Sequence, residues 1–217
     1  MRKLLIMPLI FLIFSCSSAL KIQESYHSEN INFDKIKNSK ISICGVSSIS
    51  LDEFIKTFND EYSDSAKLDN KIISTFSSEF KKIIPSVTPV EINEKIPAEL
   101  SGEFSFKENN SEEVSEFFNS LETDYLIFVN NISVGNAYNT YFYPTSYGMM
   151  SGGQTENCVV SIEVELWDVD QQKRLMKFRA GGVDEVFFFA YLSALNGAIE
   201  RSVTTAVSFI NKDGKIK

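Results

Sequence analysis

A strictly alternating stretch in the second half of the chain constrains the fold more than any other feature. One side of this stretch carries only apolar or small residues, which are Cys158, Val160, Ile162, Val164 and Leu166. The other side carries Val159, Ser161, Glu163, Glu165 and Trp167. Because successive side chains of a β-strand point to opposite faces, the pattern predicts a strand over residues 157–168. We expect its first face to be buried and its second face to be partly in contact with water.

Two more strands are predicted next to it along the chain. Residues 125–134 begin with Tyr-Leu-Ile-Phe-Val, an apolar run that is typical of a central strand covered on both faces. Residues 173–180 follow a polar turn and alternate again, with Lys177 and Arg179 on the outward face. Opposite charges are therefore expected to meet across the last two strands.

The remaining patterns predict helices and two shorter strands. Residues 41–46 favour a first strand, and Ser50 and Glu53 form a capping box for a short helix that ends at Phe58. Residues 87–92 favour a strand that Pro89 confines to a sheet edge. Three apolar stripes at helical spacing predict longer helices. The stripes are Leu68, Ile72, Phe76, Phe80 and Ile83; then Val114, Phe117, Phe118 and Leu121; then Phe188, Leu192, Leu195, Ile199, Val203, Ala206 and Ile210.

This order of elements predicts a single α/β domain over residues 41–217, in two or three layers. Its mixed sheet ends in an antiparallel C-terminal meander and is flanked by helices on at least one face. A chain of 217 residues, 43% of them hydrophobic, is long enough for one domain with its own core.

The N-terminus resembles the signal of a bacterial lipoprotein. A basic start and an apolar run too short to span a bilayer precede Ile-Phe-Ser-Cys at residues 13–16, which resembles a lipobox. The resemblance implies that residues 1–15 are a signal peptide and that Cys16 receives a diacylglycerol thioether and further acylation, such as palmitate. Ser17 is not the aspartate that retains lipoproteins in the inner membrane, which favours the outer membrane. We expect the domain to face the periplasm, and exposure at the cell surface is the alternative. The alternative is an ordinary secretory signal with an unmodified cysteine.

Residues 16–40 have the composition of a flexible tether. They are rich in Ser, Asn, Lys and Glu and poor in apolar residues, so they are not expected to bury a core. At about 3 Å per extended residue, such a tether would reach roughly 70 Å from the membrane. It contains His27, the only histidine of the chain.

Charge and composition argue against several classes of function. The net charge of −8 repels phosphate backbones, so we expect no nucleic-acid partner. Serine and cysteine nucleophiles usually need a histidine base, and the folded part has none. Residues 148–153 are glycine-rich but lack the Gly-Lys-Ser/Thr ending of a phosphate loop. We expect no cofactor, no metal and no enzymatic activity; Glu163 and Glu165 are the remaining candidates for an acid–base pair.

Cys44 and Cys158 are predicted to be small core residues. A domain outside the cytoplasm would experience an oxidising compartment, so a disulfide between them is the alternative.

Residues 135–156 are predicted to form a long, nearly uncharged loop between the first two strands of the meander. The loop carries the candidate partner-binding residues Tyr138, Tyr141, Phe142, Tyr143, Tyr147 and Met149. Because Tyr and Met are enriched in protein–protein contacts, we expect this loop to bind a partner. Three alternatives stay open: the rings pack on the domain's own sheet, the loop covers a small ligand or glycan as a lid, or it contacts the membrane.

Three short phrases in the chain carry a resemblance to known proteins. They are Asp-Tyr-Leu-Ile-Phe-Val at 124–129, Leu-Trp-Asp-Val at 166–169 and Lys-Arg-Leu at 173–175. The chain resembles the α/β domain shared by the curli-secretion lipoprotein, the amino-terminal domain of the Tol-system β-propeller protein and the lipoprotein activators of penicillin-binding proteins. The resemblance covers residues 41–210 and implies the fold, without functional residues. Anchor, tether and loop together predict a non-catalytic, lipid-anchored periplasmic accessory protein that binds an envelope protein partner.

Replacing Cys16 with alanine should abolish lipid attachment, because alanine has no sulfur to form the thioether. In a bacterial host with a lipoprotein pathway, the wild-type chain should incorporate labelled palmitate and sediment with membranes, and Cys16→Ala should incorporate none. Ser17→Ala is the matched control and should be labelled normally. Equal labelling of Cys16→Ala and the wild-type chain would contradict the lipobox.

Overall fold

The computed structural model describes residues 22–29, 31–92, 97, 112–144 and 150–215. The signal peptide and Cys16 lie outside these residues. The described part contains the following helices and strands: β1 Gln23–His27, α1 Phe33–Lys37, β2 Lys40–Leu51, α2 Ile55–Glu61, α3 Ser65–Ile83, β3 Thr88–Glu91, α4 Glu112–Ser120, β4 Tyr125–Pro144, β5 Met150–Asp168, β6 Lys173–Glu185 and α5 Tyr191–Asn211.

The six strands form one mixed sheet in the order β1-β6-β5-β4-β2-β3. Strand β2 is parallel to both β3 and β4, whereas β4, β5, β6 and β1 pair antiparallel. The structure thus confirms the predicted α/β class and its antiparallel C-terminal meander. It also confirms the edge position of the strand that contains Pro89, where a missing backbone N–H costs no ladder bond.

Helices cover both faces of the sheet, which gives three layers. Helices α3 and α5 pack on one face, and the predicted stripe residues Leu68, Ile72, Phe76 and Phe80 are all buried there. Helix α4 packs on the opposite face, where Phe118 contacts Trp167 with 5.7 Å between ring centroids. The Asp64 side chain accepts a hydrogen bond from the Ala66 amide at 3.0 Å and caps α3.

The alternation of β5 is confirmed on its inner face, because every residue from Cys158 to Leu166 on that face is fully buried. The opposite face of β5 is less exposed to solvent than expected. Glu165 and Trp167 have no exposed surface, since α4 covers this end of the sheet, and only Glu163 and its neighbours toward Val159 remain partly exposed.

Two local predictions are wrong at the ends of helices. Ser50 belongs to β2 and not to a capping box; α2 begins after Phe54, which has a φ of 59° and makes no side-chain cap. The pairing of Leu51 with Val134 extends the strand over the capping position. Phe188 does not belong to α5 either, because it lies in a turn before that helix, with a φ of 45° and 83% of its surface exposed.

The prediction of a flexible tether is wrong for residues 22–29 and 31–40. Strand β1 pairs with β6 at the sheet edge, and Ile36 of α1 is fully buried in the core. The Asn32 side chain accepts a hydrogen bond from the Lys35 amide at 2.9 Å and caps α1. Backbone pairing and one buried isoleucine hold this segment, and neither depends on a high apolar content. Only five residues, 17–21, therefore lie between Cys16 and Ile22.

Cys44 and Cys158 do not form a disulfide. Cys158 lies in the core between the sheet and α5, whereas Cys44 lies on the α4 side, so the sheet separates the two thiols. Burial, followed by the Asp184 and Glu156 carboxylates, raises the pKa of Cys158 to about 12. Both residues are therefore small core side chains, as the sequence predicts.

Candidate functional site

Strands β4 and β5 continue past the rest of the sheet as a two-stranded ribbon. The last pair of β2 with β4 is Leu51 with Val134, and the last pair of β5 with β6 is Asn157 with Glu185. The β4–β5 pairing goes on to Pro144 and Met150. We name residues 138–144 and 150–156 the ribbon; at about 3.3 Å per residue it projects roughly 20 Å.

The prediction of a loop over residues 135–156 is therefore wrong. Only residues 145–149 separate the two strands, and they lie outside the described part. The candidate residues Tyr147 and Met149 fall among them. Tyr, Thr and Phe have high strand propensity, and in the structure they extend the ladder where low charge and glycine predict a loop.

The described candidate residues are exposed on the ribbon. The exposed fractions are 54% for Tyr138, 49% for Tyr141, 70% for Phe142 and 51% for Tyr143, with 67% for Met150 on the facing strand. The ribbon extends beyond β2 and β6, so these rings do not pack on the part of the sheet that the helices cover. They form an apolar surface in contact with solvent.

Two glycines hold the rings in place on the ribbon. Tyr141 pairs with Gly153 and Phe142 with Gly152, and each ring lies over its facing glycine. A Cβ atom on Gly152 would lie 2.6 Å from Phe142 Cδ1, so a larger residue would displace the ring. Such packing of an aromatic ring over a facing glycine stabilises exposed strands. Tyr141 and Tyr143 also stack on one face, with centroids 6.3 Å apart.

The base of the ribbon carries its only charge, Glu156. The Tyr138 hydroxyl and the Asn136 side-chain amide each donate to Glu156 Oε1 at 3.4 Å. Burial, followed by the Glu156 carboxylate, raises the pKa of Tyr138. The Glu156 carboxylate is thus hydrogen-bonded to side chains of β4, and the rest of the ribbon carries no charged side chain.

A second exposed aromatic group, which the sequence patterns do not predict, lies beside this base. Phe187, Phe188 and Phe189 are 66%, 83% and 83% exposed, and we name them the Phe turn. Phe188 and Phe189 have φ values of 45° and 64°, a left-handed conformation that large residues rarely adopt. The preceding Val186 amide donates to the Glu156 carbonyl at 2.8 Å, which places the turn next to the ribbon. Three consecutive phenylalanines do not fit one helical face, and this signal could have revealed the turn.

The candidate acid–base pair lies in an ion-pair network on the α4 side of the sheet. Lys177 Nζ lies 2.7 Å from Glu163 and 3.3 Å from Glu165, and Arg179 lies 3.6 Å from Glu163. These contacts confirm the predicted charge pairing across β5 and β6. Burial alone would raise the pKa of Glu163, but hydrogen bonds from Lys177 and Asn130 lower it.

Glu165 is enclosed in the same network. Burial raises the pKa of Glu165 despite Arg174 at 3.4 Å and the Trp167 indole N–H at 3.2 Å. Because Glu165 has no exposed surface, no substrate reaches both carboxylates in this arrangement. The network's visible role is to join β5 and β6.

An open hollow of about 680 Å³ lies between α2 and the start of α5. It is lined by Thr57, Asp60, Glu61, Phe189, Ala190, Tyr191, Leu192, Ser193 and Asn196. None of these lining residues belongs to the described part of the ribbon. The described ranges contain no group of three metal-ligating side chains and no helix with the length and apolar character needed to cross a bilayer.

No family model matches the chain, and no curated protein does either. Solved structures with a similar arrangement include a PelC dodecamer from Paraburkholderia phytofirmans, at 11% identity and a TM-score of 0.43, covering 88% of this chain and 96% of that one. A homolog of the neuraminyllactose-binding hemagglutinin from Helicobacter pylori has 8% identity and a TM-score of 0.37, covering 88% and 90%. Lipoprotein GNA1162 from Neisseria meningitidis has 12% identity and a TM-score of 0.32, covering 68% and 83%. Similarity at this level assigns neither a family nor a function.

Truncating a ribbon ring should leave the domain stable, whereas truncating a core ring should not. Phe142→Ser should change the free energy of unfolding by about 1 kcal/mol or less, because the ring is exposed. Phe128→Ala, in the fully buried part of the same strand, should lower it by about 3–5 kcal/mol. Urea unfolding of the purified proteins measures both. A loss for Phe142→Ser as large as that for Phe128→Ala would show that the ribbon ring is buried.

Proposed function

We propose that this protein is a non-catalytic, lipid-anchored accessory protein of the bacterial envelope that binds a protein partner through the ribbon. The observation that carries the proposal is the exposed aromatic surface of Tyr141, Phe142 and Tyr143 beyond the sheet. Exposed apolar surface of this kind usually serves a contact.

The chemistry of the ribbon suits a protein surface. Tyr and Phe supply a large contact area with only two side-chain torsions each, so little entropy is lost on binding. The rings already lie over Gly152 and Gly153, which lowers that cost further. The outer ribbon has no charge to desolvate.

The direction of β1 supports a partner at the membrane. Because β1 is antiparallel to β6 and begins where Gln23 meets Arg179, its start points toward the ribbon end of the sheet. The six residue-to-residue steps from Cys16 to Ile22 span at most about 20 Å. Ala180 lies next to Arg179, the residue of β6 that pairs with the start of β1. The opposite end of β6, at Lys173, is about 23 Å from Ala180 and therefore beyond this reach. A lipid on Cys16 would therefore hold the ribbon end toward the membrane, and the outer membrane is the proposed location.

Photo-crosslinking in cells tests the proposal. A photo-reactive amino acid in place of Phe142 or Tyr143 should give one dominant product with another envelope protein, because both side chains are on the exposed ribbon. The same residue at Gln171 is the control, since Gln171 is exposed at the opposite end of β5. Diffuse products at positions 142 and 143, or an equal yield of the same product at 171, would contradict the proposal.

A further inference from the structure

We infer that the partner binds by strand addition: an extended segment of the partner protein pairs with the outer edge of β5 along residues 150–154. This inference rests on the proposed function, in which the ribbon is the partner surface. It adds the mode of recognition and the kind of segment that is recognised.

The open edge begins where β6 ends. Strand β6 pairs with β5 from Lys173 to Glu185, and the Val186 amide adds a last bond to the Glu156 carbonyl at 2.8 Å. The chain then turns away at the Phe turn toward α5. Among the described residues, those of β5 before Glu156 pair with β4 alone, so the position of the next strand is vacant there.

The alternation of an antiparallel ladder shows which backbone groups face this vacant position. Since the Glu156 carbonyl faces β6, the N–H and C=O groups of Gln154 and Gly152 face the same side. The edge of β4 shows the same alternation. The Val134 carbonyl faces β2 and accepts a hydrogen bond from the Asp52 amide at 3.0 Å. The backbone groups of Thr140 and Phe142, an even number of residues further along β4, therefore face outward. These residues pair with Gln154 and Gly152. Both strands therefore present every second residue outward.

The edge of β5 is the better of the two for an added strand. Ser151, Gly152 and Gly153 have small side chains or none, so another backbone can approach closely. No proline or lysine protects this edge, although such residues commonly block strand addition. The edge of β4 instead ends in Pro144, which lacks an N–H at an outward-facing position.

The exposed rings of the Phe turn indicate the chemistry of the partner segment that would fill the vacant position. The Phe turn lies at the end of the vacant position, where the first or last residue of an added strand would meet exposed phenylalanine rings. Strand addition draws its affinity from main-chain hydrogen bonds and its specificity from alternate side chains. The segment is thus about five extended residues, uncharged along the ribbon and apolar next to the Phe turn. Glu185, exposed at the same end, disfavours an acidic residue there.

Removing one outward-facing N–H should break the added strand and leave the ribbon intact. The probe is the full chain in cells with a photo-reactive amino acid in place of Tyr143. Gln154→Pro should lower the yield of the partner product more than tenfold, because proline cannot donate the bond. Gln154→Ala keeps the N–H and should give a yield within about twofold of the parent. Phe188→Asp should lower the yield at least fivefold, and Gln171→Asp should not.

The outcomes separate this inference from the proposed function. Full yield with Gln154→Pro overturns strand addition but leaves the ribbon as the partner surface, and so does equal loss with Gln154→Ala. No product at positions 142 and 143 of the otherwise unchanged chain overturns both. A product made of two copies of this chain replaces the proposed partner segment with a second copy and overturns the assignment of the occupant. If Gln154→Pro does not accumulate in cells, the exposed Phe188 decides: an unchanged yield with Phe188→Asp overturns the inference.

Discussion

The hydrogen-bonded ladder between β4 and β5 is the interaction on which the rest of the structure depends. It runs from Tyr125 paired with Asp168 to Pro144 paired with Met150, with one irregularity between Val129 and Asn131. Near Tyr125 and Asp168 the ladder is covered by helices on both faces, which supplies the apolar burial that drives folding. Along the ribbon, no other strand of the described residues pairs with the ladder. An isolated two-stranded hairpin is marginally stable in water, so the buried half holds the exposed half in register.

Sequence patterns predict the buried half well and the exposed half poorly, for a physical reason. A strand or helix with one buried face has apolar residues at regular spacing in its sequence. The alternation around Ile162 and the stripe around Ile72 therefore predict their strand and helix correctly. The ribbon buries little, so its residues need not alternate in polarity, and its glycines are read as loop residues. They serve instead as flat surfaces under Tyr141 and Phe142. The sequence pattern does not reveal strand β1 for a similar reason, because backbone pairing at a sheet edge needs no apolar side chains.

Two of these corrections change the view of function. Because β1 is ordered, the chain available between Cys16 and the domain shortens from residues 17–40 to residues 17–21, so an anchored domain would lie close to its membrane. Because the ribbon is a pair of strands and not a loop, it has hydrogen-bonding backbone edges as well as exposed rings. An aromatic loop is expected to bind through side chains alone, whereas a projecting ladder also offers its backbone. The ion pairs around Lys177 belong to the scaffold, since they join the strands from which the ribbon and the Phe turn project.

Amide hydrogen exchange of the purified chain, resolved by residue, tests the central claim that residues 138–144 and 150–156 form an ordered ribbon. The backbone groups of Asn139, Tyr141 and Tyr143 face β5, so their amides should exchange at least tenfold more slowly than those of Thr140 and Phe142, which face outward. Uniformly fast exchange of all five amides, at the rate of an unstructured chain, would contradict the ribbon and restore the loop.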